Sequence, residues 1–265
     1  MSGERPAPVL LLDIDGVLYV GDRPIPGAVE ALDALRGLSG GIRLVTNTTS
    51  RPRRAIVAHL HELGFDVAAH EVLTPAALAV RHCRERGHRA VRLLVSEALR
   101  EDLKELEPSG SAEATDALVL GDLGDGFTAD VLNGAFRLLM DGAELVALQH
   151  NRFWRRADGL VLDVGAYSAA LEYASGKEAV VVGKPSPDFF AAALSDLDAA
   201  PDMAVMVGDD IEADVGGALA AGLRGVLVRT GKFRAELLES SKVTPTAILD
   251  SITELPALLA RWGRG

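Results

Sequence analysis

The feature that most constrains this chain is a short apolar run that recurs along it and repeatedly ends in polar residues able to do chemistry. Val9–Leu12 passes directly into Asp13-Ile14-Asp15-Gly16, and Ile42–Val45 into Thr46-Asn47-Thr48-Thr49. Ala179–Val182 passes into Gly183-Lys184-Pro185, and Ala204–Val207 into Gly208-Asp209-Asp210. Further runs stand at Val91–Val95, Ala117–Leu120, Leu145–Leu148 and Gly225–Val228. A short, nearly continuous apolar run reads as a strand buried on both faces, which is the signature of parallel sheet. Between the runs lie helical patterns. Ala28, Ala31, Leu32, Leu35 and Leu38 share one helical face, and Arg54–Leu63 reads the same way. The alternation predicts an α/β fold built on parallel sheet.

A chain of 265 residues has room for one large domain or two unequal ones. No fixed-period repeat and no long low-complexity linker marks a boundary. The turns at Thr74-Pro75 and Gly183-Lys184-Pro185 are the candidate crossings, with roughly 100 residues of independent strand and helix signal between them. The expected division is a core of residues 1–75 and 181–265 with a smaller α/β domain, 76–180, inserted into it.

Composition excludes several function classes. Lys plus Arg number 27 against 38 Asp plus Glu, a net charge of −11, which is unsuited to displacing counterions from nucleic acid. The basic run Arg51, Arg53, Arg54 reads as the solvated first turn of a helix. If so acidic a chain handles a phosphate ester, a metal must supply positive charge. Cys83 is the sole cysteine, so there is no intramolecular disulfide, and no CxxC or Cys/His cluster offers a zinc site. The six histidines contain no HExxH pair, and His59 and His61 point different ways on a helix. No apolar stretch approaches the roughly 20 residues of a spanning helix, and MSGERPAP lacks a signal-peptide core. The expected location is cytoplasmic, with no membrane partner.

Each polar cluster has both a chemical and a structural meaning. In Asp13-Ile14-Asp15, carboxylates at i and i+2 suit one nucleophile and one general acid or base, and proximity pushes their pKa values apart. A solvated strand end is the structural alternative. An EF-hand loop counted from Asp13 fails, since Val17, Leu18 and Pro24 occupy required positions. Thr46 and Asn47 can hold phosphate oxygens or cap a helix, and a capped N-terminus binds anions as well. Lys184 can balance phosphate charge or restrain a carboxylate. Asp209, Asp210 and Asp214 repel one another unless a cation neutralises them, and an all-oxygen set suits Mg²⁺; a charged helix start is the alternative. Gly225 to Lys232 is no Walker A loop, because Phe233 replaces the needed hydroxyl residue and the glycine spacing is wrong.

Taken together, in this order and each after its own strand, these clusters resemble the four motifs of the haloacid dehalogenase (HAD) superfamily: Asp13/Asp15, Thr46, Lys184 and Asp209/Asp214. The segments VTNT (Val45–Thr48), HNRF (His150–Phe153), LEYASG (Leu171–Gly176) and VVGKPSP (Val181–Pro187) strengthen it, and the long insertion resembles the type II cap of class IIA. The resemblance covers nearly the whole chain. It implies a HAD-like Rossmannoid core with an inserted α/β cap, and a Mg²⁺-dependent phosphatase acting on a small phosphorylated substrate through an aspartyl-phosphate. It implies Asp13 as nucleophile, Asp15 as general acid/base, and Thr46, Asn47 and Lys184 as phosphate-binding residues. Metal ligands would be Asp13, Asp15 through its backbone carbonyl, and Asp209, with Asp214 holding metal-bound water and Asp210 carried without a defined role. His150, Asn151 and Arg152 fall where relatives have a substrate-facing segment; a surface loop anchored by Phe153 and Trp154 is the alternative. Gly165, Tyr167 and Ser168 could line the adjacent turn, where GAYS departs from the GTGS of relatives. A homodimer through the cap is also implied. Two other readings stand beside hydrolysis: a phosphotransferase or mutase on the same fold, and a catalytically silent metal-binding interaction protein.

Overall fold

Three consecutive leucines set the centre of the structure. Leu10, Leu11 and Leu12 are fully buried, so both faces of the strand Val9–Asp13 are covered. Each such side chain contributes about 1.5–3 kcal/mol relative to exposure. In this computed structural model, which describes residues 6–107, 115–156 and 159–263 (without the side chains of 154–156), that strand is central in a six-stranded parallel sheet. The order across the sheet is Ala247–Leu249, Arg224–Val228, Ala204–Gly208, Val9–Asp13, Gly41–Val45, Val72–Leu73. The register pairs Leu12 with Val207 on one side and with Leu44 on the other.

This order contains a reversal. From Val9–Asp13 the chain moves outward to Gly41–Val45 and Val72–Leu73. It later returns to the opposite side of the first strand and proceeds outward through Ala204–Gly208. The point between Val9–Asp13 and Ala204–Gly208 is therefore a topological switch point, where open α/β sheets bind ligands beyond the carboxyl ends of their strands. One core, running from Leu10 and Leu12 through Leu32, Leu35 and Leu60 to Leu255 and Leu259, packs helices Ala28–Arg36, Arg53–Glu62 and Leu255–Trp262 on the sheet.

The described chain divides into two compact units. The first comprises Met1–Thr46, Ile56–Leu73 and Lys184–Gly265; the second comprises Asn47–Ala55 and Thr74–Gly183. The second unit has its own four-stranded parallel sheet, ordered Val180–Val181, Glu144–Ala147, Ala117–Leu120, Val91–Leu94. Its core includes Leu118, Leu120, Leu139, Leu145 and Leu171. Helix Pro75–Arg86 starts where the sequence supplies both start signals: Thr74 Oγ1 accepts from Ala77 N at 3.4 Å, and Pro75 occupies the first turn. An antiparallel hairpin, Phe153–Arg156 with Gly159–Leu162, adds to this unit. Arg53 and Arg54 open helix Arg53–Glu62, and the Arg54 guanidinium pairs with Glu101 at 3.1 Å in an exposed ion pair of the kind worth about 0–1 kcal/mol. Among the described residues, no helix is long and apolar enough to cross a membrane.

Candidate active site

The first unit gathers its chemistry at the switch point. Asp13 ends its strand with a buried side chain, and Asp209 follows the neighbouring strand, also buried. The chain must turn sharply after Asp15. Gly16 takes φ +87°, its N–H donates to Tyr19 O at 2.7 Å, and a Cβ there would overlap the Asp209 carboxylate. Only glycine meets both demands. Gly208 serves similarly on the other side, since a Cβ there would overlap the Asp214 carboxylate.

Lys184 connects the cluster. Its buried Nζ donates to Asp13 Oδ1 and to Asp214 Oδ1, each at 2.6 Å. Asp214 Oδ2 also accepts from Asp210 N at 3.1 Å. Both Asp214 oxygens are thus engaged by protein groups. Asp210 has its own task, with Oδ1 accepting from Glu212 N at 3.1 Å and Ala213 N at 3.0 Å to cap the helical turn Ile211–Gly216. Asp209 differs from both. Its Oδ2 accepts from Lys232 N at 2.6 Å, while its buried Oδ1 has no hydrogen-bond partner among the described residues.

Three buried carboxylates face one buried ammonium, and the titration of the groups reflects this excess. Burial pushes the Asp13 carboxyl well above the usual range; Lys184 opposes the shift, and Asp214 and Asp209 add to it. Burial, reinforced by Asp214, raises Asp209 to about 7 against the pull of Lys232 and Lys184. Burial would lower Lys184, but Asp13 and Asp214 outweigh it and raise the ammonium. Ligand oxygens of Asp13, Asp209 and Asp214 lie within 4.8 Å of one another, close enough to share one cation. A hard divalent ion fits this donor set, because the buried Asp209 Oδ1 has no hydrogen-bond partner among the described residues and all the donors are oxygens.

Thr46 is buried just after the strand Gly41–Val45, with its N–H donating to Leu73 O at 3.3 Å. Asp15 is half-buried in the loop after Asp13. Asn47, adjacent to Thr46 in sequence, begins the second unit's share of the chain. His150, Asn151 and Arg152 also belong to the second unit. His150 is exposed and its Nε2 lies 3.2 Å from Glu172 Oε2. Asn151 is held on both backbone polar groups, its N–H by Gln149 Oε1 and its carbonyl by Gly165 N at 3.0 Å, whereas Arg152 is exposed. Phe153 is an exposed strand residue, and the side chain of Trp154 lies outside the described residues. Gly165, Tyr167 and Ser168 do not line a turn. They sit in helix Val164–Ser175, capped by Asp163, where Tyr167 stacks on Phe127 at 3.7 Å and Ser168 is fully buried.

Lys232 is the residue that sequence reasoning missed. In sequence Gly231-Lys232 resembles only the end of a failed nucleotide-binding loop, yet it follows Arg224–Val228, the strand beside Ala204–Gly208. Its N–H orients Asp209. Desolvation lowers its ammonium, but attraction from Asp13, Asp209, Asp214 and Asp210 outweighs this and raises it. The usable signal is position: a fifth strand end, next to the one that carries the acidic cluster. Thr230 Oγ1, which donates to Gly16 O, ties that turn to the Asp13–Gly16 loop.

A parallel sheet whose switch point holds a buried Asp–Lys–Asp chain, beside an aspartate oxygen with no hydrogen-bond partner among the described residues, is the arrangement expected of a HAD-type hydrolase, and similar proteins agree. Residues 10–108 match the model of the haloacid dehalogenase-like hydrolases, and residues 181–255 match a second HAD-hydrolase-like model. The human haloacid dehalogenase-like hydrolase domain-containing protein 2 is 41% identical over 249 residues, covering 94% of this chain and 93% of that protein. The Bos taurus phospholysine phosphohistidine inorganic pyrophosphate phosphatase is 41% identical over 265 residues, covering 97% and 96% respectively. Among solved structures, the glycerol phosphate phosphatase of Mycobacterium tuberculosis in complex with magnesium superposes with a TM-score of 0.83 at 31% identity, covering 96% of this chain and 78% of that one. The chain belongs to the haloacid dehalogenase superfamily, class IIA.

Proposed function

We propose that this hydrolase is a Mg²⁺-dependent phosphatase that cleaves a small phosphorylated substrate through an aspartyl-phosphate on Asp13. The observation that carries the reading is the geometry around Asp13: a buried carboxylate, gripped by Lys184 at 2.6 Å, beside an Asp209 oxygen that has no hydrogen-bond partner among the described residues. Phosphatases among the similar proteins, and magnesium in one of their structures, support it.

Asp13, Asp209 and the Asp15 carbonyl would hold the ion, which supplies the positive charge that lets a carboxylate approach a phosphate dianion. The residues of the chain do the rest. A carboxylate oxygen of Asp13 forms a bond to phosphorus as the bond from phosphorus to the leaving oxygen breaks. Asp15 gives that oxygen its proton. Water then attacks the phosphorus of the aspartyl-phosphate, Asp15 takes a proton from the water, and inorganic phosphate and the free Asp13 carboxylate result. Lys184 fixes the orientation of Asp13 and spreads positive charge over the transferring oxygens. Thr46 and Asn47 would bind the transferring phosphoryl group. Asp214 holds Lys184 in place, and Asp210 is a helix cap. His150, Asn151 and Arg152 would select the substrate, on a segment whose backbone is pinned at Asn151.

The direct test is phosphate release from a panel of aryl, sugar and glycolyl phosphates, pyridoxal phosphate, pyrophosphate and phosphoramidates, with Mg²⁺ and with EDTA. Release from one class that EDTA abolishes is the expected result. Label passing to an added alcohol in place of water would make the enzyme a transferase, and silence on every substrate by folded, metal-loaded protein would overturn the reading.

The two carboxylates of the first motif should separate kinetically. Asp15→Asn should slow alkyl phosphates by about 10²–10⁴-fold, the usual contribution of a general acid, and activated aryl phosphates far less. Equal losses on both would remove Asp15 as the proton donor.

Stability should report the ion through Asp209. Its carboxyl titrates near the ordinary aspartate value of 3.8 when unfolded and is raised to about 7 in the fold by burial and by Asp214. Between these values the folded protein keeps a proton that the unfolded chain has released. The stabilising contribution is therefore complete below the lower value and is lost as pH rises through the upper one. Mg²⁺ competes with that proton. The rise in Tm on replacing EDTA with Mg²⁺ should thus be larger at about pH 8 than at about pH 5. A rise independent of pH would remove Asp209 from the ligand set.

A further inference from the structure

We propose that His82, His88 and Glu144, in the second unit, form a binding site for a borderline divalent transition-metal ion, Zn²⁺ being the model case. The three residues come from separate parts of the chain. His82 lies on helix Pro75–Arg86, His88 just beyond its end, and Glu144 at the start of strand Glu144–Ala147. The turn that brings the two histidines together depends on Gly87, which takes φ +75° and lets His88 N donate back to Cys83 O at 2.9 Å. The rings then lie with centroids 6.3 Å apart.

Both imidazoles address the same atom. Nε2 of His82 and Nε2 of His88 each lie 2.8 Å from Glu144 Oε2, while the other carboxylate oxygen lies 3.4 Å from an Arg86 nitrogen. Arg86 thus holds Oε1 and leaves Oε2 as a single donor. The three candidate ligand atoms all lie within 4.8 Å of one another. Metal–ligand bonds of roughly 2.0–2.1 Å at tetrahedral angles place ligand atoms about 3.3 Å apart, so opening the existing contacts by about half an ångström makes room for an ion. Side-chain exposures of 18%, 14% and 20% leave the group reachable from solvent, yet shielded enough to restrict the rotamers.

The ligand chemistry selects the class of ion. Two imidazole nitrogens and one carboxylate oxygen are a known zinc set that keeps a fourth position for water, whereas Mg²⁺ prefers oxygen ligands throughout. Glu144 is ready as an anion: burial would raise its carboxyl, but the hydrogen bonds and charges of His82 and His88 outweigh burial and lower it. Cys83 is not counted as a ligand. It is fully buried and does not belong to the group of converging ligand atoms. Binding requires each Nε2 to give up its hydrogen, either as a proton lost from imidazolium or by a shift to the Nδ1–H tautomer.

The test is Zn²⁺ titration of the full chain in excess Mg²⁺, which occupies all-oxygen sites, followed by calorimetry and, with Co²⁺ as probe, by visible absorption. One equivalent is expected in the native protein and equally in Asp209→Asn, which separates this site from the acidic cluster. His82→Gln, His88→Gln and Glu144→Gln should each weaken binding by about tenfold or more, at least the loss that removal of a ligand's supporting partner produces. A second readout needs no substitution: Zn²⁺ should shift the imidazole NMR signals of His82 and His88 and leave those of His59 and His61 in place. Failure of the native chain to take up Zn²⁺ in excess Mg²⁺, unchanged affinity in the folded histidine variants, or unshifted His82 and His88 signals would each overturn the site.

Discussion

Asp13→Asn is expected to lower phosphate release by about 10⁴-fold or more, the scale seen when a covalent nucleophile is removed from a set of groups that act together. The amide keeps the shape of the carboxylate but is a poor nucleophile. The fold should survive. The substitution removes one of three carboxylates from a cluster with an excess of negative charge, and Lys184 retains Asp214 at 2.6 Å. Because burial works against the ionised Asp13, thermal stability in EDTA should be unchanged or slightly higher. Steady-state phosphate release and a melting curve on the same preparation check both halves. Activity within tenfold of the native enzyme would mean that another group attacks phosphorus.

Lys184→Met should be damaging in a different way. Methionine approximates the volume of the lysine stem but supplies no charge, leaving the buried oxygens of Asp13 and Asp214 without their shared donor. Breaking a buried ion pair from one side costs about 3–5 kcal/mol. Turnover should be lost and the denaturation midpoint should fall at neutral pH. The deficit should shrink as pH drops, because burial raises the Asp13 carboxyl and its protonated form no longer needs the ammonium. An unchanged midpoint at neutral pH would show that Lys184 is not what neutralises them.

The sequence made the first unit's sheet legible because its strands are buried on both faces. Val9–Leu12, Ala204–Val207 and Gly225–Val228 are apolar runs with no room for another reading, and each lies within an observed strand. Short strands escaped. Val72–Leu73 and Ala247–Leu249 carry two or three residues each, too few to show a period. The hairpin Phe153–Arg156 with Gly159–Leu162 was hidden because its Arg and Trp positions resemble a polar loop. Motif residues announced themselves through position, each at the end of a strand. Lys232 did not, since it acts through a backbone N–H that any residue type possesses. The convergence of His82 and His88 was equally hidden: their partner Glu144 is 56 residues beyond the second of them, and only the sheet brings it near.

The contact between Lys184 and Asp13 spans 171 residues of sequence, and this fixes an order of assembly. During synthesis Lys184 emerges 171 residues after Asp13, and the neighbouring strand Ala204–Gly208 later still. The stretch Thr74–Gly183, by contrast, is continuous and carries its own sheet and core, so it can condense from short-range contacts while the first strand still waits. Closing so long a loop is entropically costly, but the cost grows only as the logarithm of its length, and a prefolded insert shortens the effective loop further. The cluster of Asp13, Lys184, Asp209 and Asp214 can therefore form only after the strand Ala204–Gly208 and the turn that follows it have been made.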